Sequence, residues 1–292
     1  MTRPSSTVSL EVPRPAPEKT QDDIAAEWDE LAPVRRDQIQ SGKDLSFTHV
    51  LVPCIKELAE TADWSAVLDV GCGTGALAKE VYNRIGKYLV GVDISSVSID
   101  VARSQLEAYE LIRRVEHPPI RGENGTLNGT APVASLVNES IQTYGSDSGR
   151  HGSFTLALAN MTLMDVLDLD GAIESVAKLL KPGGMFVFTI THPCFWPKYK
   201  EYESADWFEY MEEIVIEAPF EISLGERACP ATHVHRPLST YLRTLRQSGF
   251  VIEAVEEPTP PSEVEGKYPG DWTFPHFLAV RCRLEDGRFS AT

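Results

Sequence analysis

Five residues, Gly71-Cys72-Gly73-Thr74-Gly75, follow the apolar stretch Ala66-Val67-Leu68-Asp69-Val70. They precede a segment in which Leu77, Val81 and Ile85 recur on one helical face. Glycines at such a strand-to-helix turn let the backbone turn sharply and approach a ligand that a Cβ would exclude. The helix beginning there offers unpaired N–H groups and positive potential. Asp93 stands roughly twenty residues on, at the end of the next apolar stretch, Tyr88 to Val92. A carboxylate there can accept hydrogen bonds from both hydroxyls of a ribose. Gly71, Gly73 and Ala76 also satisfy G-x-G-x-x-A, the dinucleotide fingerprint, so spacing alone leaves that ligand and a plain tight turn open.

His192 follows a strand expected over Met185 to Thr191, on the sheet edge that also carries Gly71 and Asp93. Open α/β sheets bind ligands at that edge. An imidazole there suits general-base work on a hydroxyl nucleophile. The alternative is a histidine bonding a backbone carbonyl to hold the turn before Pro193. His233 and His235 are further candidates, and His235, followed by Arg236 and Pro237, also reads as the lead-in to a helix.

The elements that must position these residues are mostly legible. Residues 1–19 carry four prolines and read as a disordered leader. Thr20 and Asp23 form a capping-box pattern ahead of Ile24, Trp28 and Leu31, and a second helix is expected from Leu45 to Leu58 with a kink at Pro53. Strands follow at 66–70 and 88–92, with a helix after each. Within the polar, glycine-rich stretch 118–151 only Val133 to Ile141 offers a third strand. A fourth spans Phe154 to Asn160. A helix from about Gly171 to Leu180 is stopped by Lys181-Pro182-Gly183-Gly184, and a fifth strand starts at Met185. Residues 193–234 break the alternation with aromatics and acids. A helix near Pro237 to Gly249 and strands at 251–255 and 277–284 close the chain. Alternating apolar strands and helices predict an α/β fold, doubly wound around a mostly parallel seven-stranded sheet. The expected division is a leader (1–19), a helical cap (20–62), a ligand-binding core (63–192), an inserted lid (193–234) and the core's remainder (235–288).

Val67-Leu68-Asp69-Val70-Gly71-Cys72-Gly73-Thr74-Gly75 resembles the first motif of the class I S-adenosylmethionine-dependent methyltransferases. Gly91-Val92-Asp93-Ile94-Ser95 resembles their ribose motif. Ala159-Asn160-Met161-Thr162-Leu163 and Leu180-Lys181-Pro182-Gly183-Gly184 resemble the motifs at the fourth strand and before the fifth. The four fall in the family's order over residues 64–190. More thinly, His192-Pro193-Cys194-Phe195, His235-Arg236-Pro237-Leu238-Ser239-Thr240-Tyr241 and Pro275-His276-Phe277-Leu278 resemble a bacterial small-molecule branch. The resemblance implies a Rossmann-like methyltransferase fold and S-adenosylmethionine as cofactor. It implies a cofactor site at Asp69, Gly71, Gly73, Gly75, Asp93 and Ile94, with Asn160 beneath the sulfonium and Trp28 as a wall of the cap. The acidic dipeptide expected after the third strand is missing, and Glu139 is the stand-in for the adenine contact.

Phe195, Trp196, Tyr199 and His235 are the expected substrate contacts, with His192 as catalytic base. His192 alone favours methylation of oxygen over nitrogen, with N-methylation of an amine the alternative. An NAD(P)-dependent oxidoreductase and a non-catalytic cofactor-binding protein are the rivals. About 65 residues precede the first strand, and no Tyr-x-x-x-Lys pair is found, which disfavours the oxidoreductase.

Composition narrows the partners. Lys plus Arg number 27 against 43 Asp plus Glu, a formal charge of −16, which gives no general attraction to nucleic acid or to anionic membranes. The five cysteines are scattered without a CxxC pair, and no metal-ligand spacing appears. No apolar run reaches membrane-spanning length, and no signal peptide is read at the N-terminus. The expectation is a cytoplasmic enzyme of specialised biosynthesis acting on a small molecule, with no nucleic-acid or membrane partner and no metal.

Overall fold

The computed structural model describes residues 12–108, 133–224 and 229–285. In chain order, β1 (Arg14–Pro15) precedes the long helix α1 (Gln21–Gln40). Thr20 caps α1 with the reciprocal Asp23 bond that the sequence predicts, and Ile24 and Leu31 are fully buried. A π-helical turn, Phe47–Leu51, runs into α2 (Val52–Leu58). There the Val52 N–H reaches back to the Phe47 carbonyl, and this widened turn accommodates Pro53, which has no N–H to give.

The core then alternates: β2 (Ala66–Val70), α3 (Ala76–Val81), β3 (Tyr88–Asp93), α4 (Ser96–Ala108), β4 (Val133–Asn138), α5 (Ile141–Ser146), β5 (Phe154–Asn160), α6 (Leu169–Leu179) and β6 (Leu180–Thr191). The chain continues through α7 (Trp196–Tyr199), β7 (Ile214–Pro219), β8 (Pro230–His235), α8 (Leu238–Gln247), β9 (Phe250–Glu256), α9 (Ser262–Glu265) and β10 (Phe277–Leu284). The third strand stops at Asn138 rather than Ile141, because Ser140 caps α5 by accepting the Thr143 N–H at 3.0 Å.

Seven strands form one sheet in the order β4-β3-β2-β5-β6-β10-β9, with β10 antiparallel to both its neighbours and the other pairs parallel. This is the doubly wound, Rossmann-like sheet expected. All five residues of β2 are buried, as a strand covered on both faces requires. One face packs against Ile55, Leu77 and Val81, and the other against Tyr144, Ile173, Val176 and Leu245. Each such side chain stabilises the fold by roughly 2 kcal/mol. The strand order reverses around β2, which opens a crevice at the carboxyl ends of β2, β3 and β5.

The expected disorder of the leader is corrected. The stretch 12–19 is ordered: Arg14 and Pro15 pair with Glu217 and Ile216, and Lys19 bridges Glu27 and Glu217. Residues 1–11 lie outside the described residues. The interval 193–234 is built around a second, antiparallel sheet, β1-β7-β8, so the leader supplies a strand to it. Among the described residues no helix is long and apolar enough to cross a membrane.

Candidate cofactor and acceptor site

A cavity of about 690 Å³ opens over the carboxyl ends of β2, β3 and β5. Its floor is the glycine loop. Gly71 has φ +64°, and a Cβ there would lie 2.2 Å from Thr162 Cγ2, so only glycine lets the turn after β5 close against β2. A Cβ on Gly73 would meet nothing within 4 Å, because that space is the cavity. Gly75 does not line the cavity; it lets α3 approach Ala102 of α4.

Asp93 closes one side. One carboxylate oxygen accepts the Gly73 N–H and the other the Ser95 N–H, both at 2.8 Å. Burial, with Asp29 adding to it, pushes its pKa up to about 6. Asp29 of α1 accepts hydrogen bonds from the Ser95 hydroxyl at 2.6 Å and the Val97 N–H at 3.0 Å, capping α4 from another helix. The Asn138 amide donates to the carbonyls of Asp93 and Ile94, which fixes Ile94 at the cavity wall. Glu139 lines the same end and pairs with Arg150 at 3.3 Å.

Asp69 lies beneath the loop with one carboxylate oxygen buried and without a hydrogen-bond partner. Burial, reinforced by Asp93, pushes its pKa up to about 8. An orphaned acceptor of this kind lacks a cation. The α-ammonium of a methionine moiety supplies one, the Asp93 carboxylate suits a ribose, and the space over Gly73 admits the chain between them. The residues fit S-adenosylmethionine.

Asn160 lines the cavity with its side-chain oxygen accepting the Thr189 hydroxyl at 2.9 Å. The roof comes from three segments. Trp28 of α1 lies edge-on to Phe220 at 5.6 Å, Trp196 and Tyr199 come from α7, and Tyr268, His276 and Phe277 come from the C-terminal part. His276 sits between Tyr199 and Trp272, each ring 4.0 Å away. Burial, with Lys200 nearby, lowers its pKa to about 4. His233 also lines the cavity, and burial, with His235 and Lys200 nearby, lowers its pKa to about 3. Both imidazoles are therefore neutral near pH 7.

Four expected site residues do not line the cavity, Gly75 as described above and His192, Phe195 and His235. Strand alternation turns Thr191 toward it and His192 away. His192 contacts Glu257 at 2.9 Å through Nε2 and accepts the Cys194 N–H at Nδ1, so it holds the turn before Pro193. Phe195 packs on His192 and Phe274. His235 lies beyond the cavity edge, its Nε2 3.0 Å from the Tyr210 carbonyl oxygen. Phe220, from the aromatic-rich stretch read as a lid, also lines the cavity; sequence reasoning missed Asp165, which falls in a short turn past β5 where no spacing marks it.

Over 125 residues the chain is 34% identical to the ubiquinone biosynthesis O-methyltransferase of Chelativorans sp. (strain BNC1), a match covering 42% of this chain and 40% of that protein. The chain thus spans less than half the length of that relative. An S-adenosylmethionine-dependent methyltransferase from Listeria monocytogenes superposes with a TM-score of 0.55 at 22% identity, covering 79% of this chain and 97% of that one. The 1,6-didemethyltoxoflavin-N1-methyltransferase of Burkholderia thailandensis, solved with S-adenosylhomocysteine bound, gives 0.54 at 15% identity over 94% of each chain. The model of the methyltransferase domain family matches residues 22–255, most of the chain. That match spans well over half of the chain, and the chain belongs to the methyltransferase domain family.

Proposed function

We propose that the protein transfers a methyl group from S-adenosylmethionine to a small organic molecule bearing a flat ring. The observation that carries the reading is the roof: Trp28, Trp196, Tyr199, Phe220, Tyr268 and Phe277 all line the cavity that holds the cofactor residues. Such rings bury a planar acceptor and keep water from the reacting atoms. When bound, the cofactor supplies a methyl group activated by a sulfonium leaving group. The chain's part is to hold and align. Asp69 receives the ammonium, Asp93 receives the ribose hydroxyls, and Ile94 and Glu139 line the adenine end. Alignment of donor and acceptor in a closed site contributes much of the acceleration in such displacements.

Oxygen as the methylated atom rested on His192, which faces away from the cavity, so that preference loses its residue. The relatives compared above include both an O- and an N-methyltransferase by name. The test is incubation with methyl-labelled S-adenosylmethionine and two compound pools, one aromatic and one aliphatic. Label entering the aromatic pool supports the reading; label entering only the aliphatic pool, or neither, overturns it.

A further inference from the structure

Besides Asp69, a second carboxyl group lining the cavity is left without a hydrogen bond. Asp165 ends a short 3-10 turn, Leu163–Asp165, and lines the cavity. Its N–H donates to the Thr162 carbonyl at 2.9 Å, but its carboxylate accepts no hydrogen bond among the described residues. Two cations that line the same cavity are engaged, Arg35 with Asp44 at 2.9 Å and Lys200 with Glu221 at 2.7 Å.

The cation that bears on Asp165 is Arg236. Its guanidinium is fully buried and bonds Glu213 at 2.8 Å and the carbonyls of Leu163, Val166 and Leu167. Arg236 thereby fastens the turn that carries Asp165 rather than covering its carboxylate. The other titratable groups facing Asp165 are Glu27 of α1, Asp93 after β3 and Tyr241 of α8. Burial and these like charges raise the proton affinity of Asp165 well above the carboxylate range. Arg236 is engaged with Glu213 and Glu27 is paired with Lys19, so neither cation covers the Asp165 carboxyl group.

We propose that Asp165 anchors the methyl acceptor by a protonated nitrogen and takes the proton from it, so that the acceptor is an aromatic-ring amine. This rests on the ring-bearing acceptor reading above. A half-buried carboxyl group that faces a cavity without a hydrogen-bond partner is satisfied by an ammonium through charge and hydrogen bond together. A carboxylate or phosphate acceptor would bring a further acid beside Asp165 and Asp93. The ammonium cannot attack while a proton occupies its lone pair. That proton passes to a carboxylate oxygen of Asp165, and the uncovered lone pair forms the bond from nitrogen to the methyl carbon. The carbon–sulfur bond breaks with its electron pair left on sulfur, and the proton leaves Asp165 for solvent as product departs.

The test is calorimetric titration of the protein saturated with S-adenosylhomocysteine, using tryptamine and indole-3-acetate, which share a ring and differ in charge. Tryptamine is expected to bind at least about tenfold tighter, the effect of one charge-assisted contact. In Asp165→Asn, with folding verified by its melting curve, that preference is expected to vanish. Equal binding of the two probes by wild type, or a preference that survives in Asp165→Asn, overturns the amine proposal and leaves the ring-bearing reading standing. Binding of neither probe overturns both.

Discussion

Asp29 and Ser95 join the N-terminal helix to the cofactor site: the Ser95 hydroxyl donates to the Asp29 carboxylate at 2.6 Å, while the Ser95 N–H donates to Asp93 at 2.8 Å. A residue outside the cavity thus steadies the carboxylate inside it. Asp29 also accepts the Val97 N–H, so its loss removes one of the two caps of α4, the Ser95 hydroxyl still accepting the Ser98 N–H. Asp29→Ala is expected to weaken cofactor binding by about fivefold to tenfold, the range of a lost cap. Calorimetry with S-adenosylhomocysteine checks this, and unchanged affinity would uncouple the helix from the site.

The buried carboxyl of Asp69 gives a pH dependence of defined sign. Its folded pKa of about 8 exceeds the ordinary 3.8, so the folded state holds the proton more tightly. The resulting stability is complete at pH values below the ordinary pKa and is lost as pH rises through about 8. The melting temperature of the cofactor-free protein should therefore fall across that window, and Asp69→Asn should flatten the slope. An ammonium placed beside Asp69 favours the charged form, so cofactor binding near pH 7 should release a proton. Binding heats measured in buffers of different ionisation enthalpy read that release directly.

Gly71 leaves no room for a side chain, since Thr162 Cγ2 would be 2.2 Å from a Cβ. Gly71→Ala is expected to destabilise the protein by about 2–4 kcal/mol through overpacking at a positive φ. Gly73→Ala, whose Cβ meets nothing within 4 Å, carries the strain of φ +51° without the overpacking, and should cost less stability while obstructing the cofactor. Melting curves and cofactor titrations on the two variants separate these effects. Equal loss of stability in both would contradict the assignment of Gly73 to the cavity floor.

How much of this was legible beforehand follows from which residues report on their own surroundings. The loop 71–75 and Asp93 announce themselves because a strand-to-helix turn against a ligand demands glycine and a carboxylate at set places. His192 misled because position at a strand end fixes the sheet edge but not the face, and one step of alternation separates it from Thr191. The leader was misread because its prolines hide a two-residue strand that pairs with β7, more than two hundred positions away. Asp165 carries no signal at all, since only the docking of Arg236 onto residues 163–167 defines its turn.

That ordering makes a further prediction. Deleting residues 1–19 removes the Arg14 and Lys19 contacts to Glu217 and one strand of the small sheet. The melting temperature should drop by about 2–6 °C, as a loss of one to two kcal/mol does in a chain of this size. An unaltered melting curve would mean that these contacts contribute nothing measurable.

Titration of S-adenosylhomocysteine into the wild-type protein and into Asp93→Ala reaches the central claim most directly. The cavity assignment predicts saturable binding at one site per chain in the wild type. In the variant, which lacks both carboxylate oxygens, it predicts affinity at least about a hundredfold weaker. Equal affinity in the two proteins, or no binding to either, would contradict it.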